Sequence, residues 1–325
     1  MSGRLQSVIK ILVALAALGI VVIALRGVDL QQALSILISA NIAFLLLTVV
    51  FQAINLTVRL YRWKYLLLPT RDIPLGTLVS PLFIAFAVGN LAITGAGAVP
   101  RIYILNRRTG VDGGFIAGTL AQEAFLDAGA VILWAAIVPF VVDLPPAFRT
   151  VQALLILPLG LLFFIELAVW RRRSLLVDTL KRQGLWERVL GFLPALAREN
   201  LDTFGHGLSD AFAQPKTLAA VVGSTLLIWI TEAFIFWMLA LSLTIPFSYL
   251  QASAVTAYTN AAIGIIVVPG FVGTLEASAV SLTLALGGTQ AAALAYTVLL
   301  RVFVVGPSTL LGAFFAWREA ADISK

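Results

Sequence analysis

Apolar runs of about twenty residues recur along this chain, near 8–25, 42–62, 113–142, 148–170, 217–243 and 289–317. A helix of that length spans the roughly 30 Å hydrocarbon core of a bilayer. Inside hydrocarbon each backbone N–H and C=O needs an internal partner, which a helix supplies within its own segment. The chain is 60% hydrophobic and 12% charged, whereas a soluble domain carries about 25% charged residues. The sequence therefore predicts an all-α, polytopic helical membrane protein, with residues 1–325 forming one transmembrane domain of about six full spans.

Two further apolar regions are interrupted. Near 74–110 the chain reads PLFIAFAVGNLAITGAGAVPRIYILNRRTG, with Gly89, Asn90, Gly95, Gly97 and Pro100 in its middle. Near 248–288 it reads TNAAIGIIVVPGFVGTLEASAVSLTLALGG, with Asn260, Gly264, Pro269, Gly270 and Gly273. Glycine and proline break helices, and the freed backbone groups cannot face lipid. Each region is expected to be a re-entrant hairpin of two half-helices; two full crossings per region is the alternative.

Charge placement supports the hairpins. With Arg4 and Lys10 cytoplasmic, two crossings bring Arg62, Lys64 and Arg71 to the same side. A re-entrant first region keeps Arg107 and Arg108 there, and later crossings return Arg171, Arg172, Arg173, Arg318 and Lys325. All the basic clusters then lie inside, as the positive-inside rule expects, with both termini cytoplasmic. The run Ile11–Leu25 reads as an uncleaved first helix rather than a signal peptide. Each half then contains a span, a broken region and another span, the second half inverted relative to the first. Interrupted segments at matching places in inverted halves point to a transporter's binding site. Residues of about 171–216, including the single His206, fit amphipathic helices on the cytoplasmic face.

Ionisable groups inside these stretches are costly, at about 2.5–3.5 kcal/mol each near the bilayer centre, and usually mark a polar pathway. Arg101, Glu123, Asp127, Glu276 and Arg301 are of this kind. At about 1.5 Å rise per residue, Glu123 and Arg301 reach roughly mid-depth from opposite sides. Arg101 and Glu276 open the returning half-helices. The order of charges is swapped between halves, which allows Arg101 to meet Glu276, or Glu123 to meet Arg301. Glu123 and Asp127 share a helix face. Gly95 and Gly97 precede a helix N-terminus whose N–H groups, with Arg101, suit a phosphate or carboxylate. Glu276 suits the other N-terminus, as a cap, a cation ligand or a proton carrier. Asn90, Asn260, Glu232 and Arg59 are secondary candidates; Arg59 is expected to snorkel to the cytoplasmic edge. The competing reading is that these charges only pair and fix helix packing, although buried pairs are poor stabilisers.

The stretches GNLAITGAGAVPRIYILNRRTG, AQEAFLD, VVPGFVGTLEASAVSLTLALGG and YTVLLRVFVVG carry a resemblance. With the spacing of the spans, the chain resembles, over nearly its whole length, the flippase-like transmembrane region of lysylphosphatidylglycerol synthases, also found as stand-alone YbhN-type proteins. Members often have an acidic residue just before the arginine, where Pro100 precedes Arg101, and an arginine after the third-span glutamate, where this chain has Ala124. With the last span reaching nearly to Lys325, no cytosolic aminoacyl-transferase domain is expected. The resemblance implies movement of a polar lipid between leaflets, not its synthesis, in a prokaryotic cytoplasmic membrane.

The expected activity is thus a lipid flippase or transporter, not an enzyme. Its partners would be membrane phospholipids or lipid-linked headgroups; a homo-oligomer is compatible with the sequence. With no cysteine and one histidine, no metal site or cofactor is expected. The net charge of +6 belongs to the membrane-flanking clusters and not to nucleic-acid binding. Two other classes stay open. An intramembrane lipid-modifying enzyme would use Glu123 and Asp127 as acid and base, and an accessory subunit would use the charges only for partner contacts.

Overall fold

A computed structural model describes residues 29–92, 95–143, 160–161, 203–207, 210, 214–265 and 269–323. The spans expected near 8–25 and 148–170, and nearly all of the segment 171–216, lie outside these residues. What is described is helical, without a strand.

A short helix, α1 (Leu30–Ile38), is capped by Asp29, whose carboxylate accepts from Gln32 N at 3.0 Å. Next comes α2 (Ile42–Leu67), capped by Asn41. The first broken region forms α3 (Leu75–Leu91) and α4 (Ala98–Thr109), followed by α5 (Gly113–Val141). The second half opens with α6 (Pro215–Ser242). Its broken region forms α7 (Tyr249–Ile265), a 3-10 turn (Pro269–Phe271) and α8 (Thr274–Ala285). The last span is α9 (Gln290–Leu300), a π-helical turn (Arg301–Val305) and α10 (Gly306–Ile323). The helices α2, α5, α6 and the combined stretch Gln290–Ala321 are long and apolar enough to cross a membrane.

The two halves repeat in length. Each broken region has a first arm of 17 residues and a second of 12 residues. At 1.5 Å per residue these arms are about 25 and 18 Å long. The breaks occur where the sequence places its glycines. Gly95 (φ 90°), Gly270 (φ 66°) and Gly273 (φ 86°) adopt backbone angles that residues with a Cβ rarely reach.

Packing interleaves the halves. The most extensive helix contact joins α2 to α6, and the hydrogen bond from Asn41 N to Ser242 O (2.8 Å) ties the start of one to the end of the other. The first arm α3 lies against α10, the last helix of the other half. The first arm α7 lies against both α6 and α5. Glycine permits the closest approach. A Cβ on Gly312 of α10 would sit 2.1 Å from the Phe83 carbonyl oxygen of α3.

Polarity is arranged as in a bilayer-spanning bundle. On α2 the buried stripe is Thr48, Gln52, Asn55 and Arg62, while Leu46, Val49, Val50 and Ile54 are exposed. Buried polar groups with an apolar exterior reverse the usual soluble pattern and suit a hydrocarbon surround. At one end, contacts chain the basic residues together. Lys64 pairs with Asp72, Arg71 donates to Thr109 O, and Arg108 pairs with Glu319.

Replacing Gly312 by alanine should overpack the α3–α10 contact, a change that typically costs about 1–3 kcal/mol. The expected result is a lower apparent melting temperature in detergent. Gly264→Ala, with open space around its Cβ position, should leave that temperature nearly unchanged.

Candidate functional site

The ionisable residues gather into three nodes, one buried and two partly buried. The first is centred on Arg62 of α2, whose side chain has 0% exposure. Its NH1 and NH2 donate to the two Asp127 carboxylate oxygens at 2.7 and 2.8 Å. NH2 also donates to Glu123 Oε1 at 2.9 Å, and NH1 to Thr225 Oγ1 at 3.2 Å. Arg101 of α4 approaches the other Glu123 oxygen at 2.8 Å and stacks over the Trp63 ring, 4.0 Å from its centroid. Trp229 Nε1 donates to Asp127 at 3.2 Å. Two guanidiniums and two carboxylates from α2, α4 and α5 thus neutralise one another, with α6 supplying neutral donors and acceptors. Bidentate pairing of this kind is the strongest ionic geometry available to arginine.

The second node holds the break of the second region. Arg301 Nε donates to Glu276 Oε1 at 2.7 Å. Its NH1 and NH2 donate to the carbonyls of Gly270 (2.6 Å) and Phe271 (3.0 Å). The second Glu276 oxygen accepts from Gly273 N at 2.8 Å, capping α8. Arg301 thereby satisfies carbonyls freed by the break, within the span that contains the π-helical turn. The two breaks touch: Gly270 N donates to the Ala92 carbonyl at 3.1 Å.

The third node lines a chamber of about 290 Å³ between the halves. Arg59 NH2 donates to Glu232 Oε2 at 2.6 Å, and Arg59 Nε to Asn55 Oδ1 at 2.8 Å. Asn260 donates to Glu232 Oε1 at 3.4 Å. Asn90 reaches across to Ser308 (3.1 Å) and Thr309 (2.9 Å) on α10. Gln52, Thr259 and Ser308 complete the polar wall, and Phe86, Phe236, Phe271 and Leu275 form the apolar one. The buried Thr259 hydroxyl has no hydrogen-bond partner among the described residues. A cation, an anion, amides and hydroxyls around one hollow can bind a headgroup that carries both phosphate and hydrogen-bonding groups.

Sequence and structure divide the candidates differently. Arg101, Glu123, Asp127, Glu276 and Arg301 are all in buried or partly buried ion pairs, but the pairs form within each half. Arg101 meets Glu123, and Glu276 meets Arg301; the cross-half pairing allowed by the sequence is not formed. Each returning half-helix lies beside the span that follows it, so its first charged residue reaches that span first. The chamber wall is built instead from the secondary candidates Arg59, Asn90, Glu232 and Asn260. Arg59 does not snorkel outward, because Glu232 and Asn55 hold its guanidinium inside. Gly97 serves packing: a Cβ there would lie 2.4 Å from the Ala85 carbonyl oxygen. Gly95 supplies the positive φ of the first break. Glu276 acts as the helix cap.

Arg62 is the residue sequence reasoning missed. It was grouped with Lys64 and Arg71 as part of a basic flank, yet it is fully buried. Its signal is spacing: Gln52, Asn55, Arg59 and Arg62 recur at three and four residues on α2, one polar stripe.

Comparison with known families gives one finding: the family model described as Lysylphosphatidylglycerol synthase TM region matches residues 7–312. No curated protein and no solved structure matches the chain.

Arg62→Ala would leave Glu123 and Asp127 short of compensation, a loss of about 3–5 kcal/mol for a broken buried pair. The expected outcome is poor recovery of monodisperse protein and a sharply lower melting temperature. Adding Asp127→Asn to Arg62→Met, which leaves the Arg101–Glu123 pair in place, should restore much of both.

Proposed function

Because the chain belongs to the lysylphosphatidylglycerol synthase transmembrane-region family, we propose that it is a lipid transporter. It moves a polar-headgroup phospholipid between leaflets of a prokaryotic cytoplasmic membrane and does no chemistry on it. The observation that carries this reading is the chamber at Arg59 and Glu232. It is a half-open hollow with one polar and one apolar wall, set among helices whose outer faces are apolar.

In this reading the two broken regions are re-entrant hairpins in inverted halves, and the basic end of the bundle faces the cytoplasm. Equal arm lengths in the two regions and the clustering of Lys64, Arg71 and Arg108 support it. A headgroup enters between the halves while its acyl chains stay in lipid. Its phosphate takes the place of Glu232 at the Arg59 guanidinium. Glu232, released, accepts from an amine or hydroxyl of the headgroup, with Asn260 alongside. Swapping one charge-assisted contact for another keeps both protein charges compensated, which keeps the barrier low. The hydrogen bond between Gly270 and Ala92 joins the two breaks beside the chamber, where rocking of one half on the other would open or close it.

The test is leaflet transfer of fluorescent phospholipids in proteoliposomes. Wild-type protein should accelerate transfer over empty vesicles. Arg59→Ala and Glu232→Gln should each reduce the protein-dependent rate at least about tenfold, the effect of roughly 1.4 kcal/mol at a barrier. Glu276→Gln and Arg301→Ala should also slow it, by loosening the second break. Wild-type rates in the Arg59 and Glu232 variants would remove the assignment. A chemically altered lipid would replace the transporter with an enzyme. A stoichiometric co-purifying protein, with no transfer by the isolated chain, would make it an accessory subunit.

A further inference from the structure

Outside the chamber, a groove of about 500 Å³ runs between α4 and α10. One stretch of its wall is apolar: Ile84, Pro100, Tyr103 and Ile104. The other is charged: Arg107, Arg108 and Glu319. A second hollow of about 310 Å³, which includes Arg318, lies on the far side of the Arg108–Glu319 pair.

The charges here do not balance. Glu319 is already engaged, by Arg108 and by the Ser80 hydroxyl at 2.8 Å. Arg107 and Arg318 form no hydrogen bond or ion pair among the described residues. One guanidinium, Arg107, is therefore left over in a groove whose other end is apolar and exposed, with Tyr103 59% accessible, and a second, Arg318, in the neighbouring hollow. A tyrosine with arginines at one end of an apolar slot fits the boundary between headgroups and acyl chains.

We infer that this groove is a docking site for an anionic phospholipid, separate from the chamber. The phosphodiester meets Arg107 at the edge of the bundle, and an acyl chain lies along Pro100, Ile104 and Tyr103. A net negative headgroup is selected over a zwitterionic one because the only carboxylate lining the groove among the described residues is occupied. An ammonium on the lipid would find guanidiniums and no free acid among the described residues. The site uses the surface of α4 and α10 with Ile84 of α3 at its floor, and none of the chamber residues, so it does not depend on transport.

Native mass spectrometry of the purified chain, titrated with phosphatidylglycerol or phosphatidylcholine of the same acyl composition, tests this. Phosphatidylglycerol should bind roughly fivefold more tightly per engaged arginine, the usual gain per basic residue near anionic lipid. Arg107→Gln combined with Arg318→Gln should bring the two lipids close to equal affinity, whereas Arg107→Lys should retain most of the preference. Tyr103→Ala should weaken both lipids alike. A photoactivatable phosphatidylglycerol should label the peptide containing Tyr103 in the wild-type chain, independently of any variant. Equal binding of the two lipids to wild type, or an undiminished preference in the double variant, would overturn the site. Full competition by millimolar inorganic phosphate would overturn it too, as a mere phosphate site. Loss of transport with this preference intact would sink the chamber reading alone.

Discussion

A charge in hydrocarbon has no water to turn to, and this bundle is organised around that fact. Arg59, Arg62, Arg101 and Arg301 are each brought against a carboxylate from another helix. Arg62 joins α2 to α5, Arg59 joins α2 to α6, Arg101 joins α4 to α5, and Arg301 joins the last span to α8. Pairing of this sort is a weak source of net stability, because desolvation consumes most of the attraction. It is a strong source of specificity. Shifting any of these helices by one turn would separate charges that cannot be solvated, so the pairs fix which helices meet and at what depth.

The same constraint explains the breaks. Interrupting a helix at mid-bundle frees carbonyls and N–H groups that lipid cannot satisfy. In the second break Arg301 takes up two carbonyls and Glu276 takes up one N–H. The ion pair and the break are therefore a single device. The first break borrows from the second, through Gly270 and the Ala92 carbonyl. Asn90, two residues earlier, reaches two hydroxyls of α10. The two interrupted regions are thus held together beside the chamber, at the place where relative movement of the halves would be felt most.

The distribution of charge between pairing and chamber gives the site its character. The four-residue node around Arg62 is sealed and self-neutralising, which suits a structural role. The Arg59–Glu232 node opens onto a hollow and has amide and hydroxyl neighbours with capacity to spare, which suits exchange with a ligand. The charge order seen in the sequence, basic then acidic in one half and acidic then basic in the other, is preserved as two pairs of opposite polarity, one in each half.

Much of this was written in the order of residues. Apolar runs of bilayer length fixed helices near Ile42–Leu67, Gly113–Val141 and Pro215–Ser242, because a backbone in lipid has few other ways to satisfy itself. Glycine at 95, 270 and 273 marked the breaks, because positive φ excludes most other residues. The presence of buried ions followed from charged residues placed inside apolar stretches. Partnership did not. Whether Arg101 meets Glu123 or Glu276, whether Arg59 turns outward or inward, and whether Arg62 is a flanking charge or the centre of a network all depend on which helix lies beside which. Helix adjacency is set by side-chain packing between segments far apart in the chain, such as Gly312 against Phe83, and a local pattern carries no record of it.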